Sequence, residues 1–179
     1  NTPVDEIDFT SVVLHELGHG LGFAGSMQVV GVFGYYGFGN PPNEIPTIYD
    51  KYTENNNGTP LRNYTSGTIE LANQLTPFPG SYLYFDGPNA NLANSSSRVR
   101  LYAPSSWEQG SSYSHLNETA FNGTSNALMT PQISDGEAIH HPGAITLGMF
   151  ADMDWRVATE PTINDTGRLL QANQSYPNL

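Results

Sequence analysis

The chain begins with apolar residues at fourfold spacing, a pattern that predicts an amphipathic α-helix. Phe9, Val13, Leu17 and Leu21 fall on one face of such a helix, and this stripe is expected to pack on the core. The acidic run at 5–8 offers capping oxygens and negative charge to the free N–H groups of the first turn. The pattern therefore predicts a capped helix in this part of the chain.

Shorter patterns predict the other regular elements. Strands are expected at 27–33, 82–85 and 98–102, the last two because half-buried positions alternate there. A short helix is expected at 68–75, and a longer one has its apolar side within 145–153. Long irregular segments separate these elements. The predicted fold class is α+β, with an early helix, a long irregular insertion with short strands, and a closing helix.

Two histidines and a glutamate lie within the first predicted helix, in the stretch His15-Glu16-Leu17-Gly18-His19. Residues four apart lie one turn apart on the same helix face, so His15 and His19 can direct ring nitrogens at one metal ion. Glu16 is turned away from a ligand position but can reach a water molecule at the metal, as general base and then general acid. This H-E-x-x-H arrangement predicts Zn²⁺ as the cofactor.

A catalytic zinc ion normally takes three protein ligands and leaves its fourth position to water, so one more ligand is needed. Gly22 extends the motif to HELGHGLG, but Gly25 stands where the compact metzincin motif has its third histidine. The remaining histidines are His115, His140 and His141. An acidic third ligand, as in gluzincins and aspzincins, is the alternative; the lack of a clear second ligand-bearing helix counts against it.

Four segments give the chain a resemblance to the metzincin zinc peptidases. They are HELGHGLGF at 15–23, SHL at 114–116, NALMTP at 126–131 and ITLGMFADMDW at 145–155. In this order they resemble the leishmanolysin-like bacterial secreted proteases, in which a long insertion separates the helix motif from a Ser-His motif, a methionine turn and a closing helix. Asp154 departs from this pattern, because relatives usually have a glycine before the aromatic residue.

The resemblance implies a zinc endopeptidase that cleaves protein or peptide substrates. It implies that His15, His19 and His115 hold the metal, that Glu16 is the general base, and that Met129 belongs to a methionine turn forming an apolar floor beneath the metal.

Three further residues are candidates for the substrate pocket, namely Tyr113, His140 and His141. Either of the adjacent histidines can line the pocket for the first residue beyond the cleaved bond, or donate a hydrogen bond to the tetrahedral intermediate. A loop histidine without a role is the alternative.

One departure concerns the whole domain. Metzincins place a twisted sheet before the active-site helix, whereas the helix motif here already begins at residue 15. We therefore expect the chain to be the carboxyl-terminal lobe of a larger protein, in which an upstream lobe or second chain completes the cleft. Residues 1–157 are expected to form the catalytic portion, and 158–179 a polar tail or a linker to a further domain.

Composition narrows the class of protein. A formal charge of −11, from 17 acidic and 6 basic residues, argues against nucleic acid as a partner. It is compatible with calcium binding, for which the segment 86–89 is the first candidate and a plain turn the alternative. No stretch is long and apolar enough for a membrane span. The absence of cysteine excludes a thiol nucleophile and, with many Asn, Ser, Thr and Gly residues, indicates a secreted bacterial hydrolase.

A rival interpretation is a catalytically inactive adhesion or binding module that retains a structural zinc. A structural site closes the fourth metal position with another protein ligand, whereas a catalytic site leaves it to water. The number of protein ligands therefore distinguishes the two interpretations.

Overall fold

The structure, a computed structural model, describes residues 2–37 and 44–157 of the chain. Within these ranges five α-helices, three short 3-10 helices and two small antiparallel sheets are joined by long loops. The predicted α+β class is thereby confirmed. The predicted tail at 158–179 lies outside the described residues.

Helix α1 spans Phe9–Gly20 and carries the H-E-x-x-H motif. Its N-cap is Asp8, whose carboxylate accepts a hydrogen bond from the N–H of Ser11 at 2.7 Å, as the acidic run predicts. After the helix, Gly22 has a φ of 101°, a conformation that glycine adopts without steric cost. The chain can therefore turn sharply, and it brings Phe23 into the core, where this side chain is fully buried.

The apolar stripe of α1 is exposed to solvent, which corrects the predicted packing. The exposed fractions are 79% for Phe9, 38% for Val13, 55% for Leu17 and 45% for Leu21. The buried positions of the helix are instead Ser11 and Gly18. Met129 covers Gly18 so closely that a Cβ there would lie 2.6 Å from the methionine sulfur. The periodicity located an apolar face, but the contact with the core uses another face, where the absence of a side chain allows close approach.

A β-hairpin follows α1. Strand β1 (Gln28–Val30) pairs antiparallel with strand β2 (Phe33–Tyr35). The prediction of one strand over 27–33 is therefore wrong. The break occurs at a tight turn in which Gly31 has a φ of 63°, a conformation typical of hairpin turns.

The second sheet has three short strands, in the order β3 (Thr53–Glu54), β4 (Tyr84–Phe85) and β5 (Val99–Arg100), all antiparallel. The alternation predicted at 82–85 and 98–102 is confirmed. One face of the β4–β5 pair is fully buried and consists of Leu83, Phe85, Val99 and Leu101. Side chains at the intervening positions lie on the other face, because successive residues of a strand point to opposite sides.

The remaining helices are α2 (Ile69–Leu75), α3 (Pro88–Ala93), α4 (Glu118–Phe121) and α5 (Gly143–Asp152). Helices α2 and α5 lie where the patterns at 68–75 and 145–153 predict them. The 3-10 helices are Asp50–Tyr52, Leu61–Asn63 and Ala127–Met129. Helix α3 packs along α5 at close range, since a Cβ on Gly148 would lie 2.8 Å from the Cα of Ala90.

The segment 86–89, considered above as a calcium loop, contains the start of α3. Asp152, at the end of α5, accepts hydrogen bonds from the main-chain N–H groups of Asn89 and Ala90, each at 2.9 Å, and from the Asn89 amide at 2.8 Å. Gly87 makes room for this carboxylate, which a Cβ would overlap. Asp152 therefore caps a helix and ties α3 to α5.

The packing of Met129 on Gly18 predicts opposite effects for two glycine-to-alanine substitutions in α1. At Gly20 no atom lies within 4 Å of an added Cβ, so Gly20→Ala is expected to raise the free energy of unfolding by up to about 1 kcal/mol through helix propensity. Gly18→Ala is expected to lower it by about 1–3 kcal/mol, because overpacking outweighs propensity. Urea denaturation of both variants measures the difference. Equal stabilisation by the two substitutions would contradict the packing.

Candidate metal centre

Three histidine side chains from two distant parts of the chain meet at one point. The Nε2 atom of His15 lies 3.0 Å from that of His19 and 3.1 Å from that of His115, and the remaining pair is also 3.1 Å apart. His15 and His19 come from adjacent turns of α1, whereas His115 follows the second sheet. The three rings are therefore close enough to bind one metal ion.

The opposite nitrogen of each ring is fixed by the main chain. The Nδ1 atom of His15 lies 2.7 Å from the Leu128 carbonyl oxygen, and that of His19 lies 2.7 Å from the Phe23 carbonyl oxygen. The Nδ1 atom of His115 lies 2.8 Å from the Ser111 carbonyl oxygen. A carbonyl oxygen only accepts, so each Nδ1 must carry the proton and donate it. In a neutral ring the Nε2 atom then has a free lone pair. Three lone pairs converge with no proton between them, an arrangement that a cation stabilises.

The spacing of these nitrogens fits a zinc ion. Tetrahedral zinc with Zn–N bonds of about 2.0–2.1 Å separates its nitrogen ligands by about 3.3–3.4 Å, a few tenths of an ångström more than the Nε2 separations in the triad. Neutral imidazoles also suit copper, nickel and iron, so the donor set is compatible with zinc without identifying it. In the part of the chain that the structure describes, no further His, Cys, Asp or Glu joins the group.

Burial favours the neutral, metal-binding form of His19 and His115. It lowers the pKa of His115 to about 4, although the hydrogen bond to the Ser111 carbonyl opposes the shift. Burial also lowers the pKa of His19, with its bond to the Phe23 carbonyl acting in the opposite direction. Repulsion from His15 lowers the pKa of His19 further, with the negative charge of Glu16 acting in the opposite direction. Repulsion from His19 and His15 adds to the shift of His115.

Met129 connects the two parts of the centre. It is fully buried in the 3-10 helix Ala127–Met129, and its side chain packs on Gly18 between the two histidines of α1. Its carbonyl accepts a hydrogen bond from the N–H of Leu116 at 2.8 Å. The segment proposed as a methionine turn therefore contacts the helix motif through its side chain and the His115 segment through its main chain.

Tyr113 is fully buried, so it lies in the core rather than in a substrate pocket. Its carbonyl accepts a hydrogen bond from the Tyr49 hydroxyl at 3.0 Å. Its ring covers Gly25, where a Cβ would lie only 1.9 Å from a ring atom. Its φ of 74° is uncommon for so large a side chain and is held by these contacts. The residue fixes the chain two positions before His115, and its ring leaves no room for a side chain at position 25.

Asp50 is a residue of the site that the sequence analysis missed. Its fully buried carboxylate accepts hydrogen bonds from the Tyr113 hydroxyl at 2.7 Å, from the N–H of Ser26 at 3.0 Å and from the N–H of Thr47 at 2.7 Å. Burial, reinforced by this carboxylate, raises the pKa of Tyr113 well above its usual range, so the phenol remains a donor. Asp50 thus ties the segment after α1 to the segment before His115. A single Asp among loop residues carries no sequence signal for such a role.

His140 and His141 do not join the triad. The Nε2 atom of His140 lies 2.9 Å from the carboxylate of Asp8, the N-cap of α1. Hydrogen bonds, first from Thr2 and then from Ser11, hold the pKa of Asp8 well below its usual range. The Nδ1 atom of His141 accepts a hydrogen bond from the N–H of Gly143 at 3.0 Å, at the start of α5. Both histidines thus contact helix starts.

Glu16 is exposed on α1, one position after the first histidine ligand. Together with His15 it lines a cavity of about 160 Å³ between α1 and the chain after the methionine turn. The apolar part of the lining includes Leu128, Ile133 and Ile139. The cavity therefore combines an exposed carboxylate, a histidine of the triad and an apolar wall.

Comparisons with known proteins give no relative from which a function can be transferred. No protein-family model, curated protein or solved structure matches the chain. In the described ranges, none of the helices has both the length and the apolar character needed to cross a bilayer.

The geometry predicts which histidine substitution removes metal binding. We expect the purified protein to bind one zinc ion per chain. His115→Ala removes a metal ligand, so it is expected to weaken zinc binding by more than about 100-fold. This exceeds the usual loss of affinity when only a group that orients a ligand is removed. His140→Ala, which removes an imidazole outside the triad, is the matched control and should retain the metal. Chelator competition with elemental analysis measures both. Zinc retained by His115→Ala but lost by His140→Ala would refute the assignment.

Proposed function

We propose that this protein is a zinc-dependent endopeptidase that hydrolyses peptide bonds in extracellular proteins. The observation that carries the proposal is the convergence of three Nε2 lone pairs beside an exposed carboxylate. Three neutral imidazoles with no fourth protein ligand among the described residues are typical of a catalytic zinc site rather than a closed structural site.

In the proposed mechanism, His15, His19 and His115 hold the zinc ion. When bound, zinc polarises the peptide carbonyl and lowers the pKa of water towards about 7. Glu16 accepts the proton of the attacking water and then delivers it to the leaving amine nitrogen. The peptide C–N bond breaks as the new C–O bond is retained, and no covalent bond to the protein forms.

The cavity beside Glu16 supports a peptide substrate. It extends from His15 along an apolar wall formed in part by Leu128, Ile133 and Ile139. A cavity of about 160 Å³ with this lining suits one apolar side chain next to the cleaved bond. We propose that it positions the substrate, while Glu16 acts at its mouth.

We assign the protein, as part of the proposal, to the leishmanolysin-like metzincins, which implies secretion from a bacterium. Support comes from the order of the motifs and from the contact between Met129 and Gly18 beneath the helix motif. The exposed apolar stripe of α1 supports a further polypeptide element, an upstream lobe or a second chain, that packs there and completes the cleft.

Catalysis can be separated from simple zinc binding with one carboxylate substitution. We expect the zinc-loaded protein, assayed together with the upstream lobe or second chain that completes the cleft, to cleave casein. Glu16→Gln should lower kcat by about 10²–10⁴-fold while zinc content is unchanged, because the amide cannot accept the proton. Glu70→Gln, which changes an exposed carboxylate on α2, is the control and should leave the rate unchanged.

Chelation should abolish cleavage, and added zinc should restore it. A zinc-loaded protein that cleaves nothing even when its cleft is completed would favour the inactive binding module. Full activity of Glu16→Gln would refute the proposed general base.

A further inference from the structure

The solvent side of the β4–β5 pair carries two tyrosines and two arginines. Tyr82 and Tyr84 alternate with buried positions just before and within β4, and Arg98 and Arg100 do the same just before and within β5. Tyr84 and Arg100 are direct partners in the antiparallel register. We call these four residues the Tyr-Arg face. It is notable in a chain with only 6 basic residues against 17 acidic ones.

The two arginines of the Tyr-Arg face differ in how their charge is used. The guanidinium of Arg98 lies 4.1 Å from the Tyr84 ring centre and forms a salt bridge with Glu54. The guanidinium of Arg100 lies 3.7 Å from the ring centre of Tyr82. Among the contacts of the described residues, Arg100 has no carboxylate partner and no side-chain hydrogen bond. Its N–H donors are therefore free for a ligand, while the ring beneath it restricts its motion.

Beside the Tyr-Arg face lies an open groove of about 630 Å³. Its polar lining is Tyr84, Asn94, Ser96, Ser97, Arg98 and Arg100. The Arg100 guanidinium and the hydroxyl groups can donate hydrogen bonds to a ligand, whereas the Asn94 amide already donates to the carbonyls of Ser97 and Arg98. The carboxylate of Glu54 is already paired with Arg98. The groove therefore offers donors and one unbalanced positive charge, a combination that favours a ligand with a carboxylate.

The groove is close to the metal centre along the sheet. After β5, Leu101 forms an antiparallel bridge with Leu116. The N–H of Tyr102 donates to the carbonyl of His115 at 2.8 Å, and the N–H of Asn117 donates to the carbonyl of Arg100 at 3.0 Å. Arg100 therefore lies opposite Asn117, which is two residues from His115. One interstrand spacing and the rise of two strand residues place the Cα atoms of Arg100 and His115 about 8 Å apart. One extended peptide of a few residues can span both sites.

We propose that the Tyr-Arg face binds an acidic segment of the polypeptide substrate, with the Arg100 guanidinium holding an Asp or Glu side chain through paired hydrogen bonds. The choice of a peptide as ligand rests on the proposed function. A single unpaired guanidinium matches one carboxylate, whereas a polyanionic chain requires a run of unpaired cations. The site thus selects substrates by sequence at a distance from the cleaved bond.

The test measures binding without turnover. A fluorescent peptide with several Asp and Glu residues, and a matched peptide with Asn and Gln in their place, are titrated with the zinc-loaded Glu16→Gln protein, and anisotropy is recorded. We expect the acidic peptide to bind about 10-fold more tightly, and this preference to weaken as salt is raised. Arg100→Gln should abolish the preference, and Arg100→Lys should restore part of it, because charge returns without the paired donors.

Arg62→Gln is the matched control, because it removes the same charge from an exposed position on another element. It should keep the preference, and thermal unfolding checks that each variant is folded. Equal affinities for the two peptides, or a preference that survives Arg100→Gln, would overturn the proposal. Arg100-dependent binding of a sulfated oligosaccharide in place of the peptide would also overturn it. Because no cleavage is involved, a failed protease assay and a failed peptide-binding assay are distinguishable results.

Discussion

Three hydrogen bonds from histidine Nδ1 atoms to main-chain carbonyls are the interaction on which the rest of the site depends. They fix the tautomer and orientation of His15, His19 and His115, and so turn three Nε2 lone pairs towards one point. Without them each ring could rotate or carry its proton on the other nitrogen. Because the partners are carbonyls, the arrangement depends on the course of the main chain rather than on further side chains.

Two packing contacts hold the main chain so that these carbonyls face the histidine rings. Met129 lies against Gly18, so the loop that supplies the carbonyl for His15 is held against α1 itself. Tyr113 lies over Gly25 and donates to the buried Asp50, which anchors the chain just before His115. In both cases a glycine allows a large side chain to approach the backbone. The metal centre is therefore built by the tertiary packing of distant segments.

The sequence predicted the parts of this arrangement that depend on local periodicity. The capped start of α1, the spacing of His15 and His19, and the alternation at β4 and β5 follow from helix and strand geometry, which the sequence pattern records directly. The hairpin turn at Gly31 was missed because the two turn residues lie inside the apolar run at 29–33, which has the pattern of a single buried strand. The exposure of the α1 stripe and the role of Asp50 were missed because both depend on which distant segment packs where. A carbonyl partner, finally, has no sequence signal, since every residue carries one.

The central claim is that three imidazoles and no other protein group bind one zinc ion. X-ray absorption at the zinc edge of the loaded protein tests it most directly. The account predicts four N or O ligands at about 2.0–2.1 Å, with the scattering signature of three imidazole rings. A shell with four imidazoles, or a six-coordinate shell dominated by carboxylate oxygen, would contradict the claim.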